Sequence, residues 1–105
     1  MASLLGQIYE CQYLIRSNQS NDAIEKCSNI LKDIPDYVPA LYTLSLAYLS
    51  QKQPPKARNY LKRVAKMDYS DKFSSDFENC YILLADLYIQ VSNSFSNYDR
   101  QENMI

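Results

Sequence analysis

The chain repeats itself at a spacing of 34 residues, and that recurrence limits what it can fold into more than any other feature. Ala23 stands 34 positions before Ala57, as Cys27 does before Leu61, Ile30 before Val64 and Leu31 before Ala65. The second unit is the clearer one, in the stretch 35–67, PDYVPALYTLSLAYLSQKQPPKARNYLKRVAKM. Leu41, Leu44, Ala47 and Tyr48, and then Ala57, Leu61, Val64 and Ala65, recur at the spacings of an amphipathic helix. Residues 51–53 form the turn between the two helices. Pro54 and Pro55 suit the first turn of the second helix, where N–H groups have no intrahelical acceptors. Ser45 and Ala57 are small enough for the two backbones to approach closely. One such helix cannot hide its stripe alone. Two antiparallel helices partly can, and a neighbour is needed for the remainder.

The other segments follow the same plan. Residues 4–17 predict a helix with Leu4, Ile8, Cys11, Leu14 and Ile15 on one side. Residues 18–21 are polar turn material, after which Asp22 and Glu25 have the spacing of a capping box. The helix they open carries Ala23, Ile24, Cys27, Ile30 and Leu31, and ends near Ile34, before Pro35. Pro39 falls in the first turn of the next helix. Glu10 stands where the second unit has Leu44, so the first helix is either one residue out of register or an atypical outer end. After Met67 the stretch 68–79 is polar enough for a loop, and Ser75 with Glu78 gives a second capping-box pattern. Tyr81, Leu84, Ala85 and Tyr88 then reproduce Leu41, Leu44, Ser45 and Tyr48 at an offset of 40, a third unit delayed by six residues.

A 34-residue unit of helix, short turn and helix is the signature of a tetratricopeptide repeat. The expected architecture is therefore all-α, an alpha solenoid of about two and a half repeats. Residues 1–34 form the first helix pair, 35–68 the second, 69–91 a loop and the first helix of a third, and 92–105 a disordered or frayed tail. The third unit lacks its second helix, which leaves an apolar face around Leu83, Leu84 and Leu87 exposed. Such a piece should sit near the low end of the usual range of about 5–15 kcal/mol, or depend on a partner or on self-association. It reads as a fragment or a truncated form of something longer.

Charge and residue types exclude several functions. The formal net charge is -1, from 11 basic and 12 acidic residues, which gives no electrostatic case for nucleic acid or an acidic membrane surface. No basic leader precedes an apolar run, and no stretch approaches the roughly 20 apolar residues needed to cross a bilayer. A cytosolic or cytoskeleton-associated protein is expected. Cys11, Cys27 and Cys80 are odd in number, widely spaced and without a CxxC, so they read as buried thiols in a reducing compartment, with no zinc site and no disulfide framework. The chain has no His, the commonest general base. Asp68 with Asp71, and Asp76 with Glu78, look like loop and cap carboxylates, and no glycine-rich phosphate loop or Ser–His arrangement occurs. No enzymatic activity and no cofactor are expected. Ten tyrosines, each able to bury its ring and keep its hydroxyl wet, fit thin helical layers or an interface.

Two surfaces are candidates for protein partners. Arg58, Lys62 and Lys66, within a basic run that includes Lys56 and Arg63, are spaced by four and share a helix face. They are either the solvated side of an outer helix or a dock for an acidic surface. On the concave side, Tyr42, Leu46 and Asp86 are either a peptide groove or simple packing against neighbouring repeats. Tyr42 and Leu46 occupy the surface where repeats that clamp a chain-terminal carboxylate carry Asn, Lys and Arg, which disfavours that mode.

The stretch 38–90 resembles a segment of the tetratricopeptide repeat protein 21 family, most closely in PKARNYLKRVAKM and SDFENCYILLADLYIQ. The N-terminal third agrees only at the level of repeat pattern, and the sequence from Asn93 onward diverges from a continuing repeat. The resemblance implies a long solenoid belonging to intraflagellar transport complex A, which serves retrograde movement along cilia. It implies scaffolding with no catalytic residues, other subunits of that complex as partners, and a place in the cytoplasm, the cilium or the ciliary base. The alternative is a general cytosolic peptide-binding adaptor of tetratricopeptide type.

Overall fold

The computed structural model describes residues 3–103, with side chains as far as Val91. Five α-helices follow one another: α1 (Leu4–Arg16), α2 (Ser20–Asp33), α3 (Val38–Ser50), α4 (Pro54–Ala65) and α5 (Ser74–Asn103), with a 3-10 turn at Asp71–Phe73 before α5. Each helix packs on the next. In addition α1 packs on α3 and α3 on α5, so the first helices of successive units form one layer. That is a short tetratricopeptide-like solenoid, all-α as the period requires.

The repeat is written into the turns as well as the stripes. Asn18 and Lys52, 34 residues apart, both adopt φ 60°. After each, the next N–H reaches back to the helix: Gln19 to the Leu14 carbonyl at 2.8 Å and Gln53 to that of Tyr48 at 2.9 Å. Asn18 and Lys52 themselves donate to the carbonyls of Ile15 and Leu49 at 3.2 and 3.0 Å. This paired closure satisfies carbonyls that a helix end otherwise leaves orphaned. Side chains then tie the two turns to each other, Ser20 to Ser50 and Gln51 to Asn21.

The turns also explain where the expected caps fail. Because the closure at residues 18 and 19 leads straight into helix, α2 begins at Ser20, with Gln19 at its N-cap and no side-chain cap. Asp22 lies inside the first turn, where its charge faces the positive end of the helix dipole. Ser75 likewise lies inside α5; the cap is Ser70, whose hydroxyl accepts from the Lys72 N–H at 3.3 Å ahead of the 3-10 turn. Tyr37 meets Phe73 edge to face at 5.5 Å and Tyr69 meets Phe77 at 5.4 Å, which fixes the start of α5. The sequence expectation also stops this helix near residue 91. Its backbone continues to Asn103, and between 74 and 103 there is no Gly or Pro to halt it. The side chains of the expected tail, 92–105, lie outside the described residues.

Helix α3 is the hub. Val38, Pro39, Ala40, Leu41, Thr43, Leu44, Ser45 and Ala47 are all buried, because α1, α2, α4 and α5 each claim a side of it. Its two buried hydroxyls are satisfied locally: Thr43 donates to the Pro39 carbonyl at 2.8 Å and Ser45 to that of Leu41 at 2.9 Å. Ser45 and Ala57 are fully buried, and the Ser45 hydroxyl lies 3.5 Å from the Ala57 carbonyl. The close approach expected of these small residues is present. Cys11 takes the same place in the first unit, packed with Ala23 and Cys27. The register of α1 is therefore intact, which excludes the one-residue shift. Glu10 is exposed and pairs with Lys26 at 2.8 Å.

All three cysteines are free and buried. Burial is the main cause that pushes the Cys80 thiol up to about 12, with the Asp76 charge adding to it. Burial likewise raises Cys11 and, much further, Cys27. These are core side chains and not reactive thiolates.

Candidate protein-interaction surfaces

The concave layer of α1, α3 and α5 carries a cleft of about 250 Å³ lined by Gln12, Ile15 and Arg16 from α1 and by Tyr42 and Leu46 from α3. Two of the three expected concave residues thus meet, both half-buried. Asp86 does not join them. It stands exposed on α5, one unit further along, at the position that Gln12 and Leu46 hold in the first two units. Tyr42 also faces α5: burial raises its hydroxyl first, and Cys80 and Asp76 raise it further. The α1 side of the cleft was missed in the sequence, although the 34-residue shift aligns Gln12 with Leu46. Arg16 is the cation of the cleft, and the helical spacing of four from Gln12 sets it on the same face.

The basic run on α4 divides into two groups. Lys56 lies over the Tyr48 ring at 5.4 Å, and Arg63 donates to the Pro35 carbonyl and approaches Asp36 at 3.4 Å. These two serve the protein's own packing. Arg58, Lys62 and Lys66 point away from that side; Arg58 is half-buried and the two lysines are exposed. Lys62 Nζ lies 5.8 Å from the centroid of the Tyr88 ring, so this edge of α4 borders α5.

The face of α5 left open differs from the one expected. Leu87 is buried, and Leu83 and Leu84 are half-buried against the cluster of Val38, Leu41, Leu61, Phe77 and Cys80. Phe77, Cys80, Leu84 and Leu87 follow a helical spacing, and this row takes the inner side. What remains outside is Tyr81 (38% exposed), Ile82 (62%), Tyr88 (45%) and Ile89 (57%), with exposed Ala85 among them. The sequence expectation puts Leu83, Leu84 and Leu87 on the uncovered face. The phase set by Phe77 decides otherwise.

No group of three or more Cys, Asp or Glu side chains that could hold a metal occurs among the described residues, and no helix there is long and apolar enough to cross a membrane. Nor do these residues assemble a set of convergent reactive groups. The surfaces available are suited to holding other proteins.

Comparison with known proteins agrees with this architecture. The chain is 36% identical over 95 residues to tetratricopeptide repeat protein 21B of Mus musculus and 34% identical over 97 residues to that of Homo sapiens, covering 87% and 89% of this chain. It is 49% identical over 57 residues, 54% of its length, to tetratricopeptide repeat protein 21A of Homo sapiens. The alignments cover 7% of each 21B protein and 4% of the 21A protein. No solved structure matches the chain. The likeness to 21B extends well beyond the stretch 38–90, into the N-terminal third, where the sequence pattern alone gave only a repeat. The family described as the tetratricopeptide repeat protein 21 C-terminal ARM domain matches residues 4–99, across all five helices, and the chain therefore belongs to the tetratricopeptide repeat protein 21 family.

Proposed function

We propose that the chain is a non-catalytic protein-interaction scaffold, working as a segment of an intraflagellar transport complex A subunit in retrograde ciliary transport. The observation that carries the scaffold reading is the exposed apolar face of Tyr81, Ile82, Tyr88 and Ile89, whose equivalents on α3, Leu41, Tyr42, Tyr48 and Leu49, are buried or half-buried. Family membership over residues 4–99 supports the ciliary setting, with other subunits of that complex as partners and the cytoplasm, cilium or ciliary base as the location. Where no partner is present, the same face is the place for self-association. A second reading, a cytosolic peptide-binding adaptor, draws on the cleft of Gln12, Ile15, Arg16, Tyr42 and Leu46, which offers apolar walls and one cation to a short acidic peptide.

Affinity purification of the tagged chain from ciliated cells, followed by mass spectrometry, tests the first reading. Complex A subunits are expected. Their absence, with recovery of short-peptide ligands that is lost on Leu46→Glu, would favour the adaptor.

A further inference from the structure

Three features meet at one edge of the molecule: the open apolar face of α5, the outward cations of α4, and an internal repeat that shows what such an edge normally receives. We propose that the face of α5 and the Arg58, Lys62 and Lys66 edge of α4 form a single docking groove for an acidic amphipathic helix that presents a small residue to Ala85. This rests on the scaffold reading above and specifies the chemistry of the partner.

The repeat supplies the shape of the occupant. At an offset of 40, Tyr81, Ala85 and Tyr88 stand where α3 has Leu41, Ser45 and Tyr48. On α3 those positions are covered by α4: Leu41 and Ser45 are fully buried, the Ser45 hydroxyl reaches the Ala57 carbonyl, and Tyr48 stacks on Tyr60 at 5.8 Å with the rings 6° from parallel. On α5 the same three positions are exposed. The helix that covers them must approach as closely as α4 approaches α3, which only a small side chain opposite Ala85 allows, as Ala57 does opposite Ser45.

The charge of the occupant follows from α4. Shifted by 34, Arg58, Lys62 and Lys66 correspond to Ile24, Ser28 and Lys32 of α2. Ser28, Leu31 and Lys32 line the groove that α2 shares with α4, into which α4 sends Tyr60 and Arg63. This is the edge that each outer helix turns toward the next. On α2 that edge carries one cation among these three positions, and on α4 all three are cationic; α4 itself contains no acidic residue. Lys62 Nζ over the Tyr88 ring joins the edge to the open face of α5, so one helix lying on Ala85 has its flank against the cations. Carboxylates on that flank are attracted, and lysines are repelled. A second copy does not fit as well, since the helix of this chain that already plays the covering role, α4, would bring cations to cations.

The test uses the full 105-residue chain and two fluorescein-labelled helical peptides. Both carry the same apolar stripe around a central Ala, and one has Glu and the other Lys along one flank. Anisotropy titration at low salt is expected to show the Glu peptide binding roughly tenfold or more tightly than the Lys peptide, the sum of a few exposed ion pairs. The triple substitution Arg58→Glu, Lys62→Glu and Lys66→Glu should reverse the order. Ala85→Arg, at an exposed position and expected to leave the far-UV circular dichroism unchanged, should abolish both. Equal affinities, an order that survives the triple substitution, or binding untouched by Ala85→Arg would each overturn the proposal. So would failure of both peptides with a chain dimer that Ala85→Arg dissociates, which would make a second copy the occupant. None of these outcomes bears on whether complex A subunits are recovered with the chain, so the scaffold reading stands or falls separately.

Discussion

Single residues hold the closest contacts of this solenoid. Ala57 lies fully buried against Ser45 where α3 and α4 approach, and a larger side chain there has no space to enter. Ala57→Leu is expected to cost about 1–3 kcal/mol or more, read as a lower denaturant midpoint. Lys52 is the opposite case, a non-glycine residue at φ 60° in a turn that leaves its side chain in solvent. Lys52→Gly should therefore stabilise the chain by up to about 1 kcal/mol, the relief of the left-handed conformation less the chain entropy of glycine. The buried thiols set a pH dependence. In the unfolded chain a thiol ionises near about pH 8.5, whereas folded Cys80 holds its proton up to about 12 and Cys27 beyond that. The unfolded state thus binds fewer protons above about pH 8.5, and stability falls as pH rises, by up to about 1.4 kcal/mol per unit for each such thiol. Denaturation followed from about pH 8.5 to about pH 10.5 should show this fall, with a shallower slope in Cys80→Ser.

Helices are the scale at which sequence and structure can be weighed against each other. Phe77 anchors α5 through the cluster it shares with Val38, Leu61 and Val64, and through Tyr69. Phe77→Ala is expected to cost about 3–5 kcal/mol, and hydrogen exchange should show α5 opening before α1 to α3. The helices themselves were legible because their stripes are regular and because Pro39, Pro54 and Pro55 mark first turns. The pairing of Ser45 with Ala57 was legible for the same reason: at a fixed period, small residues recur where backbones meet. The caps were not legible. Asp22 with Glu25 and Ser75 with Glu78 have the right spacing, but the turns around Asn18 and Ser70 had already started each helix upstream. Local capping yields to whichever turn brings the chain in. The candidate surface was half legible. Tyr42 and Leu46 do line a cleft, yet the α1 side of it, Gln12, Ile15 and Arg16, depends on how two helices separated in sequence by α2 lie together. The open face of α5 was assigned to the wrong residues, since hydrophobicity alone does not give the phase of a helix.

At the scale of the whole molecule the solenoid is uneven. On α1, Leu5, Tyr9 and Tyr13 are exposed near the pair of Glu10 with Lys26, whereas on α5 the open apolar face lies beside a row of cations. A chain so built should melt at a modest temperature that rises when a helix able to cover α5 is added, since any contact that covers α5 stabilises it by mass action. Circular dichroism melting with and without the Glu-flanked peptide checks this, and Ala85→Arg should remove the shift. The measurement that bears most directly on the scaffold reading compares tagged wild-type chain with Ala85→Arg, purified side by side from ciliated cells and analysed by mass spectrometry. Complex A subunits should accompany the wild type and be lost, or fall at least tenfold, with the variant. Equal recovery from both would contradict the role given to α5, and chaperones alone with the wild type would contradict the scaffold itself.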